Sequence, residues 1–417
     1  MIRTSRLASG LSVVTESMGE VASVTSGFWV GTGSRDEPIE LAGASHFLEH
    51  LLFKGTATRT ARSIAESIDG VGGDMNAFTT KEYTAFYVRA LAESMELALD
   101  VLCDIMWSPA LRPHEVDSER QVILEEILMH ADEPADVAHE RLMQVLFAGH
   151  GLGREVLGEQ ASVEAMTTDD IRGFFDVHYR PENMVFAAAG RLDHDQVVKA
   201  LEARFAGPVG GRPPGRSAPR PVAPTTVVDH RPSEQVHMVL GSPAPGRHDP
   251  GRYALAVVNH VLGGGLSSRL FQEVREKRGL AYSVYSEWES HDDAGAMVVY
   301  AGTSPENTRQ VLDLVNIEMD RLASSGITDR ELEVARGNLR AEMLLSLEDS
   351  GARMSRIGRS QLLHREVIAA DELCRRIERV SKPEVDAMAA QVLGAERTLS
   401  VVGPVTQSDL VPVTGTS

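Results

Sequence analysis

The stretch Gly43-Ala44-Ser45-His46-Phe47-Leu48-Glu49-His50-Leu51-Leu52-Phe53 sets two histidines four residues apart, with a carboxylate between them. A helical turn takes about 3.6 residues, so on a helix His46 and His50 are offset by roughly 40° and share a face, with Glu49 beside them. Two imidazoles so placed chelate one ion. A catalytic zinc needs in addition a third protein ligand and an open position for a water, and the sequence must supply that ligand elsewhere. On these residues alone, two ordinary helix histidines beside a surface glutamate remain the competing reading.

The segment around His46 reads as a helix running to about Phe53 and closing at Lys54-Gly55, where glycine takes the left-handed C-terminal conformation. Residues 11–15 and 21–30, rich in β-branched and aromatic types, precede it as strands. Behind it come a short amphipathic helix at 63–69, strand-like runs at 75–80 and 83–88, and a helix at 92–106. Residues 114–130 read as one long helix with Val116, Ile123, Ile127 and Leu128 as its buried stripe; it carries Glu119, Glu125 and Glu126. A further helix is expected at 135–147, another from Thr168, and a buried strand at 183–190.

Residues 207–225, with Pro208, Pro213, Pro214, Pro219, Pro221 and Pro224 among glycines, resist helix and central strand and read as a linker. The second half of the chain repeats the first in outline. Asp100 and Asp313, in matching Leu-Asp contexts, and Gly190 and Gly403, each after an apolar strand, share an offset of 213 residues. Arg120 and Glu126 find Arg336 and Glu342 at an offset of 216. The expected fold is α/β (α+β): two homologous domains, each a mixed sheet packed with helices, at 1–206 and 226–417, joined by the Pro/Gly-rich linker. The second copy has no H-x-x-E-H, so only the first holds the metal.

With 42% hydrophobic and 24% charged residues, the composition is that of an ordinary soluble globular protein. Lys+Arg 41 against Asp+Glu 60 gives a net charge of −19, which argues against a nucleic-acid or anionic-membrane partner. Cys103 and Cys374 are the only cysteines and have no CxxC pairing, so neither a disulfide framework nor a thiolate metal site is indicated. Without an apolar signal core in residues 1–10 or a window near the roughly 18 apolar residues of a membrane span, a soluble, cytoplasmic protein is expected.

The order H-x-x-E-H inverts the H-E-x-x-H of other zinc peptidases. Together with Glu126, 76 residues beyond His50 on a helix, it resembles the pitrilysin and mitochondrial processing peptidase family of inverted zinc metallopeptidases, and the likeness covers nearly the whole chain. The resemblance implies that His46, His50 and Glu126 bind one zinc ion per chain, that Glu49 is the general base, and that Glu119, two turns before Glu126, supports the ligands from behind. Arg275 and Tyr282, in Arg275-Glu276-Lys277-Arg278-Gly279-Leu280-Ala281-Tyr282, resemble the family's Arg/Tyr pair that holds the substrate carbonyl. Asn76-Ala77-Phe78-Thr79 resembles the edge strand beside the metal, where an extended peptide adds by backbone hydrogen bonds; an ordinary sheet strand is the other reading. The implied function is a zinc endopeptidase that hydrolyses peptides or extended unfolded segments inside a chamber closed to folded proteins. The implied assembly is a homodimer, or a heterodimer with a related subunit. The alternative is a non-catalytic subunit or scaffold; such relatives usually lack parts of the motif that is whole here.

Overall fold

A computed structural model describes residues 1–211 and 213–410. Its first sheet comprises β1 (Ile2–Arg6), β2 (Ser12–Ser17), β3 (Ser23–Val30), β4 (Asp74–Thr79), β5 (Thr84–Leu91) and β6 (Met184–Gly190), in the order β1-β2-β6-β3-β5-β4. β2 and β6 run parallel, while β3 is antiparallel to both β6 and β5. Successive side chains of a strand point to opposite faces, and here both faces are apolar. Val13, Phe28, Phe86 and Phe186 face one layer, and their neighbours Val14, Trp29, Ala85 and Val185 face the other.

The helices packed in the first layer include α1 (Ala44–Leu52), α2 (Ala61–Asp69), α3 (Met95–Trp107) and α4 (Pro113–Ala131), with the helices Thr168–His178 and His194–Arg204 beside them. The opposite face is covered by the helix Ser350–His364 through Met354 and Ile357. That helix lies close because residue 358 is glycine: a Cβ there would sit 2.4 Å from Trp29 Nε1. The same indole donates to Met354 Sδ at 3.3 Å.

β7 (Thr226–His230), β8 (Val236–Ala244), β9 (Ala281–Ser290), β10 (Gly295–Thr303) and β11 (Thr398–Gly403) form a second sheet in the order β7-β11-β8-β10-β9. Place by place this is β2-β6-β3-β5-β4 again, including the single parallel pair, β7 with β11. The helix Thr308–Ser325 starts 213 residues after α3, and Asp329–Leu345 starts 216 after α4, the two offsets read from sequence. The far face of this sheet is covered by α5 (Pro134–Leu146), whose Val137, Leu142 and Leu146 pack with Val239, Val298 and Val402.

The compact units therefore do not follow the sequence halves. One consists of Met1–Leu128, Arg154–Ser217 and Leu344–Ile368; the other of Met129–Gly153, Ala218–Met343 and the chain from Ala369 onward. Each half lends one helix to the other's sheet. Residues 207–225 carry neither helix nor strand where they are described, yet Arg216 is anchored in the first unit by two bonds to Asp36, at 2.8 and 2.7 Å.

Three local expectations change. β1 was not expected: it is a polar edge strand, and polar residues give no strand periodicity. Leu128 is 54% exposed rather than part of the buried stripe of α4. α1 ends at Leu52 with Phe53 right-handed, before Gly55, which does have positive φ (142), and a second positive-φ glycine, Gly43 with φ 97 and ψ −2, stands at its start. Among the described residues no helix is long and apolar enough to cross a membrane, and both cysteines are buried and unpaired.

Candidate metal centre

α1 is nine residues long, too short to be stable by itself in water. It stands because nearly all of it is buried: Ala44, Ser45, Phe47, Leu48, Leu51 and Leu52 enter the core, and His46 is buried with them. α4 touches it through side chains: the Arg120 guanidinium lies over the Phe47 ring at 5.6 Å and donates to the Val163 carbonyl. From α4, Glu119 reaches His50, and Glu126, two turns on, reaches both histidines.

His46 Nε2 and His50 Nε2 lie 3.2 Å apart, and Glu126 Oε2 is 3.6 Å from each. Among the described residues these three are the group of His, Cys, Asp or Glu side chains that converges closely enough to hold a metal ion. The donor set fits zinc: ligands about 2.0–2.1 Å from a tetrahedral ion lie roughly 3.3 Å from one another. The Glu126 Oε2 atom is shielded from solvent and has no hydrogen-bond partner, as expected of an oxygen whose partner is a cation.

The two histidines are held differently. His50 Nδ1 bonds Glu119 Oε1 at 2.8 Å, which leaves Nε2 directed at the cluster, and the second Glu119 oxygen pairs with Lys54 Nζ at 2.6 Å. His46 Nδ1 is buried without a partner. Their protonation differs accordingly. Burial, then the adjacent His50, pushes the His46 imidazole down to about 4, so it is neutral and able to ligate. Burial would also lower His50, but the Glu119 bond and the charges of Glu126, Glu119 and Glu49 outweigh it and raise its pKa. Burial works to raise Glu119, yet its bonds to His50 and Lys54 hold it below the usual carboxylate range.

Glu49 stands apart from the three converging atoms. Its Oε2 accepts a 2.6 Å bond from Thr79 Oγ1, and burial raises its pKa against that bond. Thr79 closes β4, which is the edge of its sheet and pairs with β5 alone. Asn76 is exposed on that strand, and its Oδ1 takes the Ala77 N–H at 2.8 Å. Arg275 and Tyr282 belong to the second unit and meet each other there. The guanidinium sits 4.5 Å from the Tyr282 ring centroid and 4.8 Å from that of Phe271, on a π-helical turn, with Tyr282 80% exposed.

Residues 12–160 match the family described as Insulinase (Peptidase family M16), and residues 165–339 match Peptidase M16 inactive domain. Over 413 residues, 97% of this chain and 90% of the relative, the sequence is 45% identical to an uncharacterized zinc protease of Streptomyces coelicolor. It is 36% identical over 405 residues, 97% of this chain and 98% of the relative, to the uncharacterized zinc protease YmxG of Bacillus subtilis. The chain belongs to peptidase family M16. Among solved structures, a peptidase M16 inactive domain from Pseudomonas fluorescens superposes with a TM-score of 0.91 at 22% identity, covering 97% of this chain and 98% of that one. A Helicobacter pylori protease gives 0.88 at 22% identity, covering 97% and 99%; both share the fold.

The two M16 matches divide as the residues do: the insulinase part contains His46, Glu49, His50, Glu119 and Glu126, and the inactive-domain part contains Arg275 and Tyr282. The supporting contacts of three residues of this M16 chain escaped the sequence reading. Lys54 was within reach, since it lies one turn beyond His50 on the same face. Thr79 was placed on the edge strand beside the metal, but its bond to Glu49 gave no local signal, and neither did Glu37, whose carboxyl group binds the first amides of α1.

Proposed function

We propose that the protein is a zinc-dependent endopeptidase acting on peptides or extended, unfolded segments. The observation that carries this reading is the convergence of His46 Nε2, His50 Nε2 and an otherwise unpartnered Glu126 Oε2, with Glu49 anchored beside them to an open sheet edge. Zinc, when held by these three, polarises a carbonyl and brings the pKa of a bound water to about 7. Glu49 takes the proton of the attacking water and delivers it to the departing amine. The outer edge of β4, around Asn76 and Ala77, binds the peptide as an added strand, the Asn76 amide yielding the Ala77 N–H to the incoming chain. Arg275, sandwiched between two rings with Tyr282 exposed, is preorganised to hold a substrate carbonyl. One ion per chain, a chamber closed to folded substrates, and assembly as a dimer belong to the same reading and are supported by the family resemblance.

Removing metal with a chelator and restoring zinc tests it: peptide cleavage is lost and then regained, and cleavage indifferent to both steps refutes it. Glu49→Gln separates catalysis from a scaffold role. Zinc content is retained while cleavage falls severely, by roughly two to four orders of magnitude; unchanged cleavage removes Glu49 as the base.

A further inference from the structure

The first N–H groups of a helix have no partner within it and need one from outside. α1 starts at a glycine, which has no side chain to supply it. Glu37 takes that place from six residues upstream. Its Oε2 accepts the Gly43 N–H at 2.8 Å and its Oε1 accepts the Ser45 N–H at 2.7 Å, so one carboxyl group bridges the residue before the helix and the residue before His46. Glu37 is 5% exposed, and its own carbonyl is held by the Arg154 guanidinium, which fixes the backbone from which the side chain reaches. Gly43 has little freedom to answer by rotation: it is in the left-handed region, and a Cβ there would lie 2.7 Å from the Leu157 carbonyl oxygen.

The two histidines need this unequally. The His50 ring is turned by its bond to Glu119, but the His46 ring has no such bond, its Nδ1 being buried and unpartnered. The direction of the His46 side chain is therefore set by the backbone of the first turn, and that turn is set by Glu37. We infer that Glu37 is a positioning residue of the metal centre, doing for His46 through two backbone amides what Glu119 does for His50 directly.

The inference rests on the zinc reading above, and its test keeps the two apart. Zinc dissociation constants, by competition with a chromophoric chelator, and melting temperatures of zinc-free and zinc-loaded protein are measured for wild type, Glu37→Gln and Glu37→Asp. Glu37→Gln replaces one of the two acceptor oxygens with an amide that cannot accept, and weakens zinc binding about tenfold or more, the scale seen when a group orienting a ligand is lost. The rise in melting temperature on adding zinc shrinks with it. Glu37→Asp, which keeps both oxygens on a shorter arm, recovers part of the affinity and carries the measurement if Glu37→Gln does not fold. Variants that lower the zinc-free melting temperature but bind zinc as wild type does overturn the inference: Glu37 is then a structural cap only. A wild type that binds no zinc overturns the zinc reading itself, and this inference with it.

Discussion

Replacing Glu119 with alanine probes how the metal centre is built. Glu119 is 4% exposed, accepts the His50 Nδ1 hydrogen at 2.8 Å, and is itself held by Lys54 at 2.6 Å. The substitution leaves Nδ1 with no acceptor, frees the imidazole to turn, and leaves Lys54 without its counter-charge. A hydrogen bond to a charged group contributes about 1.5–3 kcal/mol. Losing a group that orients a metal-bound histidine costs about 10–100-fold in metal affinity, which is about 1.4–2.7 kcal/mol. The two estimates agree, so zinc affinity is expected to fall by at least an order of magnitude while the fold persists, because α4 stays anchored by Val116, Ile123 and Arg120. Glu119→Gln, which keeps an acceptor oxygen in reach of Nδ1, loses less. The assay is competition for zinc against a chromophoric chelator, with circular dichroism to confirm folding. A folded Glu119→Ala protein that binds zinc within about threefold of wild type refutes the claim that Glu119 orients His50.

Three further outcomes are expected. Thr79→Val removes the hydroxyl that holds Glu49 and lowers kcat about tenfold or more with zinc content unchanged, while Thr79→Ser stays near wild type; equal kcat for both variants counts against it. Met354→Ala, at a residue 1% exposed beneath Trp29, destabilises the protein by about 2–5 kcal/mol in denaturant unfolding, and a loss below about 1 kcal/mol contradicts the packing of that helix on the first sheet. Glu37 is pushed up to about 7 by burial, against the bonds from Ser45 and Gly43 and the charge of Arg154. Between its ordinary value and about 7 the folded chain keeps a proton that the unfolded chain has released, so this group's contribution to stability is complete at lower pH and is lost as pH rises through about 7. The fall is about 3 kcal/mol, and Glu37→Gln flattens it in the zinc-free protein; an unchanged pH slope in that variant rejects the assignment.

The convergence of His46, His50 and Glu126, with Glu119 behind them, was legible in sequence because helical spacing is a local rule: His46 and His50 are one turn apart, and Glu119 and Glu126 are two. The duplication was legible too, since its offsets of 213 and 216 return in the helix starts and in the matching strand orders of the two sheets. What the sequence withheld is long-range. Nothing in residues 350–364 indicates that Ser350 bonds Thr25 at 2.9 Å or that Met354 lies against Trp29, because both faces of a strand such as β3 are apolar and give no sign of which helix covers which. The exchange of α5 and the helix Ser350–His364 between sheets is a consequence of this kind. The bonds of Thr79 and Glu37 escaped for the same reason: Thr79 reaches α1 from a strand 30 residues on, and Glu37 from the loop before it, along paths fixed by tertiary packing.

The duplication also shows why, among the described residues, the converging His/Glu group lies in one unit alone. The helix Arg252–Leu262 stands in the second sequence half where α1 stands in the first; matched at their last residues, 210 apart, the two helices set Ala256, Asn259 and His260 against His46, Glu49 and His50. Glu342 stands against Glu126, and Ala335 against Glu119, at the offset of 216. His260 is 7% exposed, its Nε2 has no hydrogen-bond partner, and although burial lowers its pKa, the charge of Glu342 works against that shift. The second copy thus keeps one histidine and one carboxylate and lacks the other histidine, the base and the carboxylate that turns the ring. Two ligands fall short of the three that a catalytic zinc requires from protein. At these offsets the second copy differs from the first at 256, 259 and 335, on helices that both copies keep.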